Sequence, residues 1–361
     1  MKLFRWSVIL LALLLAAMTL VPMAAAIVPD VNSIQTPQLS IDQTQKTTVV
    51  QHALSSYPGE DLFAIPTGSI VLHGNDGTTR IFDAAGKQII TVNDAESAKI
   101  GTPEGLQPAS KVHAVPMGAL ILDSKKSKNT TYVFTQKGDL VMTVIDDSSK
   151  GMVKPMVATL YGSNWLVWAD ATVSQISYLR STWYTPTAPS TGGGTPPFAL
   201  AIFNGLENSN TILQPVLMWN YNLNNPVWKI SSWRYTSPSS FYYSPILNVN
   251  QGDNIQGTLQ YTTVGGMTGW QVTTSDLTAG TSTYYFSNVI STNTNLEIVN
   301  TLEQAQGQNS NPYWMCGDIV FHNLNIPAVS LVPGYNTASG WYGLFNVWFS
   351  PNPGQVTLDT P

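Results

Sequence analysis

The chain has 361 residues, only 10 % of them charged, and a net charge of −5. Sparse, weakly acidic charge with no basic stripe excludes a nucleic-acid partner. The single cysteine, Cys316, excludes an intrachain disulfide, so the fold rests on its core alone.

The N-terminus reads as a secretory signal. Lys2 and Arg5 precede an uncharged Leu- and Ala-rich run from Trp6, Pro22 breaks it, and Ala24, Ala25 and Ala26 supply a small-residue cleavage site. Cleavage after Ala26 is expected, which places the protein outside the cytoplasm, secreted or at the cell surface, with no membrane segment remaining. The rival reading keeps Trp6 to Val28 as an anchor, since that run is long enough to span a bilayer.

A duplication follows. Ile65-Pro66-Thr67-Gly68-Ser69-Ile70-Val71-Leu72 is echoed by Val115-Pro116-Met117-Gly118-Ala119-Leu120-Ile121-Leu122. Thr79-Arg80-Ile81-Phe82-Asp83-Ala84-Ala85-Gly86-Lys87 is echoed by Thr131-Tyr132-Val133-Phe134-Thr135-Gln136-Lys137-Gly138-Asp139. Each copy reads strand, turn, strand, turn, strand, and two copies are too few for a solenoid. The polar stretch 146–151 is a linker, and charge changes beyond it: after residue 155 only Arg180, Lys229 and Arg234 are basic, against eight acidic residues. The expected division is a signal peptide over 1–26, an extension over 27–60, a small duplicated β domain over 61–150 and a larger domain over 151–361.

The larger region alternates short apolar blocks with Gly, Pro, Asn and Ser. Examples are Val157–Tyr161, Trp165–Val167, Phe198–Phe203, Thr211–Leu217, Ile246–Val249 and Asn254–Tyr261. This spacing predicts an all-β fold, an antiparallel two-sheet sandwich. The stretch 185–197 is a long surface loop. Cys316 follows Tyr313, Trp314 and Met315 and reads as a buried, inert thiol.

Familiar chemistry is missing. There is no H-E-x-x-H, and His52, His73, His113 and His322 are scattered along the chain, so no metal or other cofactor is expected. There is no G-x-S-x-G elbow and no Asp-Thr-Gly or Asp-Ser-Gly loop. Carboxylates remain. Asp253, in Asn250-Gln251-Gly252-Asp253, reads as a turn residue. Glu297 lies in the apolar strand pattern Asn295-Leu296-Glu297-Ile298-Val299, and Gln214 in Ile212-Leu213-Gln214-Pro215-Val216. Pattern alone makes both of them outward-facing positions.

An ordered series of short segments resembles the glutamic peptidases of the eqolisin type, secreted acid-acting enzymes on a concanavalin A-like β-sandwich. It comprises Asn164-Trp165, Thr182-Trp183-Tyr184-Thr185-Pro186, Phe203-Asn204-Gly205-Leu206 and Ile212-Leu213-Gln214. Trp233, Gln251-Gly252-Asp253-Asn254-Ile255, Thr294-Asn295-Leu296-Glu297 and Gly317-Asp318-Ile319-Val320-Phe321 continue it. The resemblance spans about 164–323. It departs where the chain has Ser231 in place of a glutamate and Glu207 nearest to the family's aspartate. It implies a polypeptide substrate, Gln214 and Glu297 as the catalytic pair, and substrate contacts from Trp165, Glu207 and Trp233. In that chemistry a glutamate takes a proton from water and a glutamine amide holds the oxyanion.

Two functions follow: a secreted glutamic endopeptidase-like hydrolase, or a non-catalytic carbohydrate-binding or cell-surface adhesion module on the same sandwich. For the first, the small domain is expected to dock over the acidic groove through Lys125, Lys126 and Lys128. The other reading of that turn is a solvated tip.

Overall fold

The computed structural model describes residues 29–360, except 32, 60–61, 128, 149–164, 190–197, 209, 224, 237–239, 290–293, 305–315, 326–329, 336–344 and 351–353, and except the side chains of 294–304. The expected signal segment and its cleavage site, Lys128, the block Val157–Tyr161 and most of the 185–197 loop lie outside the described residues. Among the described residues no helix is long and apolar enough to cross a membrane.

The chain is all-β. It opens with β1 (Thr47–Thr48), β2 (Leu54–Ser55) and β3 (Phe63–Ala64). The first copy of the repeat is β4 (Ser69–His73), β5 (Thr78–Phe82) and β6 (Gln88–Asn93). A hairpin of β7 (Lys99–Thr102) and β8 (Gly105–Pro108) follows, then a 3-10 turn over Ala109–Lys111 and β9 (Val112–Ala114). The second copy is β10 (Ala119–Asp123), β11 (Thr130–Phe134) and β12 (Leu140–Asp146).

The two copies share local chemistry as well as sequence. Each is an antiparallel meander with a register shift at its aromatic residue, at Ile81/Phe82 in one and Val133/Phe134 in the other. In the first copy the Asp83 carboxylate accepts the Ala85 and Lys87 amides; in the second the Thr135 hydroxyl accepts those of Lys137 and Asp139. Side-chain acceptors of this kind satisfy turn amides that a strand ladder cannot reach.

The larger region runs β13 (Trp165–Val173), β14 (Tyr178–Tyr184), β15 (Phe198–Glu207), β16 (Thr211–Trp219), β17 (Trp228–Thr236), β18 (Ser240–Tyr243) and β19 (Leu247–Asn248). It continues with β20 (Asn254–Val264), β21 (Met267–Asp276), β22 (Thr281–Ser287), β23 (Thr294–Gln304), β24 (Ile319–Asn325), β25 (Val332–Tyr335), β26 (Asn346–Phe349) and β27 (Val356–Asp359). Asp253 holds the turn before β20, its carboxylate accepting the Asn250 amide at 2.7 Å.

These strands form two large packed sheets. One has the order β1-β6-β5-β4-β12-β11-β10-β22-β21-β20-β14-β24-β27-β26. The other has the order β25-β13-β23-β15-β16-β17-β18-β9-β2-β3, with β19 beside β17. Strands from either side of the 146–151 linker therefore join by parallel pairing, β10 with β22 and β9 with β18. The change of sequence character at the linker is bridged by continuous hydrogen bonding. One buried cluster holds Val50, Leu54, Ile100 and Ala114 from before the linker together with Phe203, Val216, Trp233 and Tyr243 from after it.

The sandwich proper packs β15, β16 and β17 against β20 and β21. The sheets approach tightly at Gly257, where an added Cβ would clash with Asn204 Oδ1 and lie 3.0 Å from both Pro215 and Trp183. Asn204 and Pro215 thus face the opposing sheet. Their alternate neighbours face the other way.

Candidate functional site

That other face carries Gln214. β16 pairs with β15 at Phe203↔Val216 and Leu206↔Leu213, which sets Gln214 beside Gly205. Gly205 pairs with Glu297 on β23, and Glu297 with Asp170 on β13. On the other flank Gln214 pairs with Trp233, and Trp233 with Tyr243. Glu297, Gly205, Gln214 and Trp233 therefore occupy one cross-strand row. Gly205 leaves the middle of the row without a side chain, and an added Cβ there would meet Gln214 Cγ at 3.5 Å.

The row is not open. Gln214 is fully buried, which corrects the outward-facing position its strand pattern gives. Alternation reads a solvent face only when one side of a sheet is bare, and here the region before the linker covers the second side.

The covering element over Gln214 is the β7–β8 hairpin. β7 packs on β15 and β8 on β23. The Gly101 amide donates to the Tyr221 carbonyl at 2.7 Å, and an added Cβ at Gly101 would lie 2.7 Å from Ala199 Cβ. Only glycine lets the hairpin backbone lie this close. Thr102 closes the turn by donating to the Gly105 carbonyl at 2.7 Å, with Gly105 at a φ of 119°. Pro103 and Glu104 form the tip, and Gln214 Nε2 donates to Glu104 Oε1 at 2.7 Å. The Gln214 carbonyl oxygen is buried with no hydrogen-bond partner among the described residues.

Burial pushes the Glu104 carboxyl up to about 8; the Gln214 hydrogen bond works against that rise, and the nearby Glu207 carboxylate adds to it. Glu207 ends β15 two positions from Gly205, on the row's face, and is itself buried. The structure thus gathers Glu104, Glu207 and Gln214 at one point and sets the backbone of Glu297 alongside.

The two tryptophans expected to contact substrate are core residues in this structure. Trp165 is 1 % exposed and meets Phe203 edge-on, with ring centroids 5.8 Å apart. Trp233 is also 1 % exposed and stacks on Tyr243 at 4.8 Å. Lys125 and Lys126 stand exposed in the turn between β10 and β11, so the contact over Gln214 is made by the hairpin and not by that turn.

Glu104 escaped the sequence reading. Thr102-Pro103-Glu104-Gly105 is a legible turn, but nothing in it names a partner 110 positions away. The histidines are also corrected in one respect: His73 and His113, separate in sequence, meet at 3.0 Å inside the protein. Among the described residues no group of three metal-ligating side chains forms. Cys316 is buried and free, and burial pushes its thiol up to about 12.

No family model matches the chain, and no curated protein matches it. Among solved structures it is similar to scytalido-glutamic peptidase bound to a transition state analog inhibitor, at 17 % identity and a TM-score of 0.37, over 55 % of this chain and 98 % of that one. The same peptidase with a peptide-based transition state analog gives 18 % identity and a TM-score of 0.38 over the same shares. SCP-B, a member of the eqolisin family of peptidases in complex with the tripeptide Ala-Ile-His, gives 16 % and 0.36, again over 55 % and 98 %. This is a distant likeness between β architectures.

Proposed function

We propose that the protein is an exported, acid-acting glutamic-peptidase-like hydrolase of polypeptide, held closed by its own N-terminal region. The observation that carries the reading is the cross-strand row: Gln214 and Glu297 stand on strands flanking β15, across a glycine that leaves room between them. Glu297 takes the proton from an attacking water, as a carboxylate ionised near the working pH can. The Gln214 amide donates to the oxygen on which charge develops, and its carbonyl holds the water.

The Glu104 contact supports the same assignment. A carboxyl oxygen 2.7 Å from Gln214 Nε2 marks the spot a scissile carbonyl oxygen occupies under this mechanism. A hairpin laid along the row is in turn an imitation of an extended peptide. Trp165, Glu207 and Trp233 become substrate contacts only when the hairpin leaves. The N-terminal region is then a cover, docked through β7–β8 and through strand pairing at β9 and β10.

The test compares wild type, Glu297→Gln and Gln214→Ala on an unfolded polypeptide from strongly acidic to neutral pH. Hydrolysis by wild type that both variants lose, and that chelators and serine- or cysteine-directed reagents leave intact, supports the reading. Equal rates in all three overturn the residue assignment. A wild type inactive at every pH favours the non-catalytic binding module.

A further inference from the structure

We propose that the contact between His73 and His113 is an acid-operated lock within the N-terminal cover, holding β4 of one sheet to β9 of the other, beside the hairpin over Gln214, while both imidazoles are neutral and parting when they take up protons. Its role in switching the site on rests on the peptidase reading; the unlocking itself does not.

The pair bridges the layers. His73 ends β4 in one sheet, and His113 lies in β9 of the other, beside Tyr242 of β18 and next in chain to the hairpin that covers Gln214. Both side chains are fully buried, with Nε2 atoms 3.0 Å apart. The hydrogens can be followed outward from Asp94. Thr79 Oγ1 donates to Asp94 Oδ1 at 2.8 Å, so its own hydrogen is committed. His73 Nδ1, 3.0 Å from that hydroxyl, must then be the donor. A neutral His73 presents a bare Nε2, and His113 Nε2 donates to it. His113 Nδ1 is left bare and buried with no partner among the described residues. A first added proton has no acceptor at that atom, and a second sets N–H against N–H across the pair.

The surrounding charges are mixed. Lys111 Nζ lies 3.9 Å from Asp94, and its charge disfavours a second cation at His73. Asp146, paired in register with His73, favours charge on His113 but is outweighed by burial. Beyond the Tyr242 ring, 5.4 Å from His113, stand Arg234 and its partner Asp123. Burial, with Lys111 adding, pushes His73 down to about 3, and burial with the His73 charge pushes His113 well below its ordinary value.

The sign follows from linkage. Docked imidazoles stay neutral, whereas released ones protonate near the ordinary value of 6.5. The closed form therefore loses ground as pH falls below 6.5, by up to about tenfold per pH unit for each imidazole, because each proton bound only by the open form multiplies its population in proportion to acidity. Glu104 acts oppositely. Its docked carboxyl, raised to about 8 from 4.5, takes up a proton on closing, so acidification from 8 to 4.5 favours closure and below 4.5 the effect is spent. Closure is then strongest near pH 6.5 and weakens most steeply between 4.5 and about 3, where both imidazoles act unopposed, by up to about a hundredfold per pH unit.

The experiment is hydrogen exchange on the full chain from pH 8 to 3, corrected for intrinsic rates, with amides of β7, β8 and β9 compared with those of β20 to β22. In wild type the hairpin is expected to lose protection by about tenfold or more per pH unit on acidification below 6.5, before the reference strands open. His73→Asn and His113→Gln keep an amide where each ring donates and cannot titrate; together they are expected to abolish that loss. A hairpin protected until the whole sandwich opens, or an unchanged pH slope in the double variant, overturns the lock. Should the variants not fold, the wild-type imidazole resonances decide: protonation in step with hairpin opening supports the lock, and protonation beneath a hairpin still protected overturns it. Release without hydrolysis removes only the peptidase reading, and hydrolysis beneath a protected hairpin removes only the lock.

Discussion

The two copies of the repeat fill one structural position with opposite chemistry. In the first copy the last residue of the opening strand is His73, paired across the meander with Thr79; in the second it is Asp123, paired with Thr131. Each threonine hydroxyl meets its partner's side chain, His73 Nδ1 at 3.0 Å and Asp123 Oδ1 at 2.8 Å. What lies beyond differs. His73 continues to a second neutral imidazole, and Asp123 to the buried guanidinium of Arg234 on β17. The difference teaches which part of the cover is fixed. An arginine does not change charge in any biological range, so the second copy is tied to the larger region through a group that keeps its charge. The first copy is tied, by groups that titrate, to β9, which lies before the linker and pairs in turn with β18 of the larger region.

The fixed tie breaks with the largest effect. Arg234 is fully buried, donates to the Ile121 carbonyl at 3.3 Å and covers the Tyr242 ring, so Arg234→Met takes the counter-charge from Asp123 and this donor from the carbonyl. A loss of about 3 kcal/mol is expected in denaturant unfolding, at the low end for a broken buried pair because Asp123 keeps contact with water. The loss should be the same at pH 8 and at pH 5.5, in contrast to any change at the histidines.

Between the copies lies the hairpin, and Gly101→Val lifts it. The side chain meets Ala199 and the Tyr221 carbonyl at distances no rotamer relieves. Overpacking of this kind costs about 2 kcal/mol. Exchange should rise in β7 and β8 while β10 to β12 stay protected, which separates the hairpin's docking from that of the second copy.

The titrating tie gives the smallest effect near neutral pH and the only one that grows with acid. Replacing His73 with Asn and His113 with Gln should flatten the fall of global stability below pH 6.5, by about 1.4 kcal/mol per pH unit for each imidazole. Unfolding curves that keep the wild-type slope would make the two copies electrostatically equivalent.

The all-β class and the duplication were legible because period-two alternation and turn residues are local signals. The repeat even foretold matching turns, at Asp83 in one copy and Thr135 in the other. What was not legible depends on pairing between distant segments. His73 and His113 stand 40 positions apart and meet only because β4 and β9 enter different sheets. Gln214 drew attention through a family resemblance, while its pattern pointed to solvent. Its burial comes from a hairpin over a hundred positions earlier, laid on a face that alternation alone leaves bare. The linker at 146–151 marks a change in composition, which carries no information about the strand pairing that crosses it.

The most direct test of the proposed site is the rate of polypeptide hydrolysis in acid by the full chain and by Glu297→Gln, at a pH where exchange reports the hairpin released. Removal of a general base lowers the rate by about 100-fold or more, so near-complete loss in the variant is the expected result. Equal hydrolysis by both chains would contradict the assignment of Glu297 as the base opposite Gln214.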